Sequence, residues 1–434
     1  MGKSGVPFFD IIGCMNRSFK FTSSVAAAAS AICLSVCAES VSDAEARLLE
    51  RIPAVFERAE AQAKMLDGVM SEKPRLYDWS HLPPAKGTQG FGEVKDKGDF
   101  VFPRSWTRGT YKVEPPIGWT TGFFPGELWM LYRYTGKPEW KAAAERWTEK
   151  LEPARHFRGN HDMGFMFLCS YGLGIKYGGH GEDYAAVIRD AADALATRYS
   201  PKLSLIRSWD SPRFMKFPVI IDSMMNLEMM CEYGHRDIAT THADKIMRTH
   251  FRPDDSAYHV VDWNPKTGLI FAKYAWQGAC VDTAWSRGQG WAVYGFTMMY
   301  RETGNRAYLE RAERSAKWIL SAPTPEDGVP YWDYGAVGTA DGTAARDASA
   351  AAIMASALVE LSGHTGNAAY RAHAVKMLSS LASDAYLSKE GENGGFLLMH
   401  STGSHPEDTE IDASINYADY YFLEALLRLR DSAK

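Results

Sequence analysis

After residue 38 no segment of this chain is long and apolar enough to be a transmembrane helix. Long basic runs are missing as well. Lys and Arg number 48 against 53 Asp and Glu, a formal charge of -5, which leaves no electrostatic footprint for nucleic acid. Cysteine is scarce: six in all, and three of them (Cys14, Cys33, Cys37) fall within the first 38 residues. The other three, Cys169, Cys231 and Cys280, are odd in number and lack metal-ligand spacing, so neither a disulfide framework nor a thiolate metal site is expected. Cys169 and Cys231 sit in apolar helical stretches, where buried thiols are the ordinary outcome.

Apolar and aromatic side chains are what the chain does have. Hydrophobic residues make up 46%, enough to bury a sizeable core. The 13 Trp, 21 Tyr and 20 Phe serve a core first and a sugar-binding cleft second. The N-terminus reads as a processing segment. Arg17 and Lys20 precede the run SSVAAAASAICLSV, too short to span a bilayer comfortably, and Val36 and Ala38 fit a small-residue cleavage site. Residues 1–38 are therefore expected to be a signal peptide and 39–434 a single domain. Export, in the first instance to a periplasm, follows; a lipoprotein anchor on Cys37 is the weaker variant, because Val36 is bulky before it.

Six apolar helical stretches recur, starting at Trp119, Asp162, Asp222, Arg287, Asp347 and Asp412. Six others, from Asp43, Pro138, Glu182, His235, Asn305 and Asn367, are charged on one side, with apolar residues at i, i+3, i+4 and i+7. Three of these follow a Thr-Gly turn at Thr135, Thr303 and Thr365. A helix apolar all round must be enclosed by others. Six enclosed helices alternating with six amphipathic ones predict an all-α double ring, an (α/α)6 barrel. The inner helices then run the same way and gather their N-termini at one pole. The long connections rich in Pro, Gly and Trp, such as FPRSWTRGTYKVEPPIGW and HVVDWNPKTGLIFAKYAW, lie at that pole too and are the expected cleft.

Asp162 and Asp222 each precede a very apolar helix. Either could simply be an N-cap. Two carboxyls at the pole, among aromatics, are also what sugar hydrolysis needs, and a partly desolvated carboxyl beside another keeps its proton to higher pH. Arg287, Gln289 and Trp291 lie within two turns of a helix start: a planar fork for an anion and a face for a sugar. The bland alternative pairs Arg287 with Asp347 and involves no ligand.

The segments WTTGFFPGELW, NHDMGF, RSWD, FPVIIDSMMNLEMM, WSRGQGWAVYGF, PYWDY, RDASAAAI and DYYFLEALLRL, in that order, resemble glycoside hydrolase family 88, the unsaturated glucuronyl hydrolases, from Trp119 to Leu429. The resemblance implies the (α/α)6 barrel, no metal or organic cofactor, and a substrate with a 4,5-unsaturated uronic acid at its non-reducing end, left by a polysaccharide lyase. It implies Asp222 as general acid/base and Asp162 as its neighbour. Trp119, His161, Gln277, Arg287 and Trp291 match positions lining the subsite for the unsaturated sugar. The segment His400 to His405 resembles the region that meets the next sugar. Trp276 departs from the pattern, which often has His before the matching Gln. The related unsaturated rhamnogalacturonyl hydrolases on pectin fragments, an ordinary inverting glycosidase, and a non-catalytic glycan-binding surface protein are the alternatives. A monomer is the expected state.

Overall fold

The computed structural model describes residues 41–72, 101–210 and 214–433. The expected signal peptide lies outside the described residues. The first helix, α1 (Val41–Glu72), buries Leu48, Ile52, Val55, Phe56 and Leu66 along one side and exposes its charges on the other. Five helical hairpins follow: α2 (Phe123–Thr135) with α3 (Pro138–Glu149), α4 (Met163–Phe167) with α5 (Glu182–Ala196), α6 (Leu227–Glu232) with α7 (Arg236–Thr249), α8 (Ser286–Thr303) with α9 (Arg306–Ser321), and α10 (Ala348–Thr365) with α11 (Ala368–Leu381). The last helix is α12 (Asn416–Ser432). The even-numbered helices form the inner ring, α12 packing back onto α2, and the odd-numbered ones the outer ring.

Composition explains the sorting. From Ala348 to Val359 every residue of α10 is buried, as a helix surrounded by others must be. The outer helix α9 buries Tyr308, Leu309, Ala312, Ala316 and Ile319 on one stripe only. The hairpin turns repeat one device. Gly136, Gly304 and Gly366 take φ of 69° each and close α2, α8 and α10. In each case the preceding Thr hydroxyl accepts the N–H of the residue after the glycine. The outer ring is closed by α1: Glu60 pairs with Lys137 and Asp67 with Arg146 of α3, while Glu45 pairs with Arg371 of α11.

Two inner helices are irregular. Helix α4 runs on through two wide π-type turns, Leu168–Gly172 and Gly174–Gly178, and α6 is preceded by a 3-10 segment, Ile221–Asn226. Two expected starts fall four residues early: Trp119 lies in the turn before α2, which begins at Phe123, and Asp412 is the other. Asp412 does not open the last helix, which begins at Asn416; Asp412 is exposed, has φ of 52°, and pairs with His400 at 2.5 Å. Short strands occupy the connections that enter the inner helices. They are the hairpin β1 (Phe102–Thr107) and β2 (Thr110–Glu114), the pair β3 (Tyr199–Ser200) and β4 (Leu205–Ile206), and the antiparallel sheet β5 (Pro218–Ile220), β6 (Val260–Trp263) and β7 (Ile270–Tyr274). Strand β8 (Ser414–Ile415) joins the edge of β1. The sheet β5–β6–β7 delivers the chain directly to Asp222, with Ile220 opposite Val260.

Candidate active site

Both expected acids stand at the start of inner helices, and neither works as a cap. Asp162 is the residue before α4, yet its carboxylate makes no capping bond. The free N–H groups of Gly164 and Phe165 go instead to Asn226 Oδ1, at 2.8 and 3.3 Å. Asn226 thus performs the capping from another chain segment, and the Asp162 carboxylate is left to face His161 Nε2 at 3.2 Å. Asp222 lies inside its 3-10 segment without a cap bond. Asp347 is the contrast. It is a true N-cap, accepting the N–H groups of Ser349 and Ala350.

Tight packing brings Asp222 to Asp162. A Cβ on Gly164 would meet Asn226 Cα at 2.6 Å, and one on Gly295 would meet Met224 Cβ at 2.4 Å. The segment carrying Asp222 is therefore pressed between α4 and α8. Asp222 is 7% exposed, and its Oδ2 has no hydrogen-bond partner within the described protein. Burial raises its pKa and Asp162 adds to this; Arg287 and His161 oppose it, and the balance is about 7. A carboxyl of this kind holds a proton near neutrality and can give it away.

Two residues not singled out from the sequence complete the surroundings. His259 Nε2 lies 3.7 Å from Asp222 Oδ2, and its Nδ1 sits between the Ala275 carbonyl at 3.0 Å and the Gln277 backbone N–H at 3.2 Å. Burial drives its pKa down to about 3, so the ring is neutral. Its ring packs on Trp285 at 4.2 Å. The signal for His259 was slight: a lone histidine leading into the short buried run of β6.

The other expected residues divide. Trp119 is half-buried, its ring 5.5 Å from Phe165 and 5.0 Å from Tyr417, with the Arg104 guanidinium 5.8 Å from its centre. Arg104 and Lys112 hold Glu410 down at about 2 against the upward push of burial, so this side of the pole is a fixed ion cluster. Gln277 donates Nε2–H to the Gly403 carbonyl at 2.9 Å. Arg287 donates to Asp347 at 2.9 Å, to the Thr402 carbonyl at 2.7 Å and to the Gly403 carbonyl at 2.6 Å. The pairing with Asp347 that the bland alternative foresaw is present, and both terminal nitrogens are engaged by Asp347 and the 402–403 backbone. Arg287 and Gln277 thereby fasten the segment from His400 to His405 to the site. Trp291 is where the structure departs from the expectation. It is 0% exposed, wedged between Phe165 at 5.2 Å and Tyr421 at 5.4 Å, and has no face to offer a sugar. Gln289 bonds Ala257 through both its Oε1 and its Nε2, a structural task.

What the pole offers is a proton donor, a second carboxylate, a neutral imidazole and aromatic faces. Comparison with known proteins agrees. No family model matches the chain. An unsaturated glucuronyl hydrolase of Formosa agariphila is 44% identical over 338 residues, covering 75% of this chain and 84% of the relative. Another, from Bacillus sp. (strain GL1), is 33% identical over 74% of this chain and 88% of the relative. The crystal structure of an unsaturated glucuronyl hydrolase specific for heparin superposes with a TM-score of 0.77 at 36% identity, covering 87% of this chain and 97% of that one. With likeness of that extent in sequence and in fold, the chain belongs to the unsaturated glucuronyl hydrolases, a family of glycoside hydrolases.

Proposed function

We propose that this protein removes a 4,5-unsaturated uronic acid from the non-reducing end of lyase-generated, glycosaminoglycan-type oligosaccharides, by hydrating the vinyl ether. The observation that carries the reading is Asp222: a buried carboxyl with a pKa of about 7, beside Asp162. The names and specificity of the relatives support the substrate class. In this reading Asp222 gives its proton to C4, and positive charge develops at C5 and the ring oxygen. The Asp162 carboxylate stabilises that charge across a short, poorly solvated gap. Water adds its oxygen at C5 and returns a proton to Asp222. The resulting hemiketal opens, and the shortened oligosaccharide leaves. Trp119 packs on the sugar, His161 and Gln277 contact its polar groups, and the segment from His400 to His405 meets the next sugar. The protein acts as an exported monomer once residues 1–38 are removed, which N-terminal sequencing and size-exclusion chromatography of the secreted protein test.

The decisive test is Asp222→Asn, assayed by loss of the ultraviolet absorbance of the conjugated double bond. Asn cannot donate the proton, so kcat falls by about a hundredfold or more with the fold intact. Turnover within a few-fold of the parent would remove Asp222 from the reaction.

A further inference from the structure

Trp276 takes φ of 53°, a left-handed conformation that a bulky aromatic adopts only when its surroundings impose it. Both neighbours are tied to the Asp222 pocket. The Ala275 carbonyl and the Gln277 N–H bracket His259 Nδ1, and the Gln277 side chain bonds Gly403. The strained turn throws the indole outward, and it is 40% exposed. It does not stand alone. Its ring lies 5.6 Å from Trp209 and 6.4 Å from Phe214, each tilted by 35°, and Phe214 is 54% exposed.

The inner end of this strip begins at the acids. Trp209 pairs with Asn160, whose side-chain oxygen accepts the Asp162 N–H at 2.9 Å. The strip is also firmly backed. Met215, Ile220 and Val260 form a small buried cluster on which Trp209 and Tyr274 pack, and Phe214 sets its edge against Tyr274 at 5.8 Å. Exposed aromatics fixed in place, leading away from a sugar-cleaving pocket, match the C–H faces of pyranose rings. Three rings in a row are longer than one pyranose.

We propose that Trp276, with Trp209 and Phe214, is a stacking platform for the two sugars that follow the cleaved bond, so that the enzyme selects oligosaccharides longer than a disaccharide. The proposal rests on the pocket being the unsaturated-uronate site and adds to it a chain-length preference set by Trp276.

Calorimetric titration tests this without relying on turnover. The probes are a chondroitin-type disaccharide and tetrasaccharide from lyase digestion, each with its terminal double bond hydrogenated so that it cannot react. The parent binds the tetrasaccharide about threefold to tenfold more tightly than the disaccharide. Trp276→Gly, which relieves the backbone at φ of 53°, erases that difference, Trp276→Phe keeps most of it, and Phe214→Ala weakens the tetrasaccharide alone. Equal affinities in the parent, or a tetrasaccharide affinity unmoved by Trp276→Gly, would overturn the platform. The same proteins are then assayed on the unsaturated oligosaccharides. A length preference that depends on Trp276, without any turnover, supports the platform and refutes the proposed reaction. Turnover with no such preference does the reverse.

Discussion

Three aspartates at three helix starts have three different fates, and their neighbours decide which. Asp347 gives its oxygens to Ser349, Ala350 and Arg287 and is spent on structure. Asp162 is released from capping by Asn226, and Asp222 is buried with an unpartnered oxygen. Sequence alone could place all three at helix starts but could not separate them, because the separating atom belongs to a residue 62 positions from Gly164. The raised pKa of Asp222 carries two consequences. Its acid form is lost as pH rises through about 7, so kcat/KM falls about tenfold per pH unit above that point. Stability follows the same direction. The folded pKa lies above the ordinary value of 3.8, so the folded state binds the proton more tightly; stability is full below about pH 4 and is lost as pH rises to about 7. Asp222→Asn, which stays neutral, is therefore expected to be more stable than the parent at pH 8, by about 2–4 kcal/mol. Little or no gain is expected at pH 4. Denaturant titration of both proteins at the two pH values measures it; equal stabilities at pH 8 would show that the carboxyl is not held in a desolvated site.

Elements bring these side chains together through glycine. The alternation of apolar and amphipathic helices was legible, and so were the Thr-Gly turns, because a 3.6-residue period and a left-handed glycine are local facts. Asp412 misled because an Asp before an aromatic run looks like a cap, whereas pairing with His400 holds it in a turn four residues early. Trp291 misled for a related reason, which also hid the anchoring of Arg287. A helix start at the pole has one face toward the cleft and another toward its neighbours, and only the packed structure shows that Phe165, Tyr421 and Asp347 claim these two side chains. His259 was hidden because sheet register, not helical spacing, aims it at Asp222. Gly164 is where α4 packs against the segment that carries Asp222. Gly164→Ala forces α4 away from the Asn226 backbone, which sits only 2.6 Å from the added carbon. Overpacking of this sort costs about 1–3 kcal/mol. The shift also separates Asp162 from Asp222, so kcat is expected to fall about tenfold to a hundredfold. KM should change less, since the aromatic faces stay in place. Steady-state kinetics with a melting curve decide it, and a parental kcat in a folded variant would mean that the contact does not set the spacing of the acids.

Across the whole molecule the barrel has two unlike poles. At the N-terminal pole of the inner ring the chain leaves acids partly open; at the other pole it ties them down. Glu228 of α6, Arg301 and Glu302 of α8, Glu360 of α10, and Glu424 and Arg428 of α12 form one belt across four inner helices. The belt borders a cavity of about 780 Å3 that extends inward to Gly164 and Phe165. Four carboxylates here share two arginines, so the arginines are what make this arrangement stable. Burial already raises the Glu228 pKa, with Arg301 the main force pulling it back. Glu360 is held below its usual range by Arg428, His364 and Arg301 in spite of burial. Removing Arg301 leaves Glu228, Glu302 and Glu360 facing one another, and the folded pKa values of Glu228 and Glu360 rise. A raised folded pKa gives stability that is lost as pH rises. Arg301→Ala is therefore expected to lose about 2–4 kcal/mol at pH 8 and less at pH 5, where the carboxyls regain protons. Turnover of an unsaturated disaccharide, measured well below the melting temperature, should stay near the parental rate, because no belt residue reaches Asp162 or Asp222. Melting curves at the two pH values and one rate measurement suffice. A loss of stability independent of pH would show that Arg301 acts by packing and not by charge, and a large loss of kcat in the folded variant would show that the two poles are coupled.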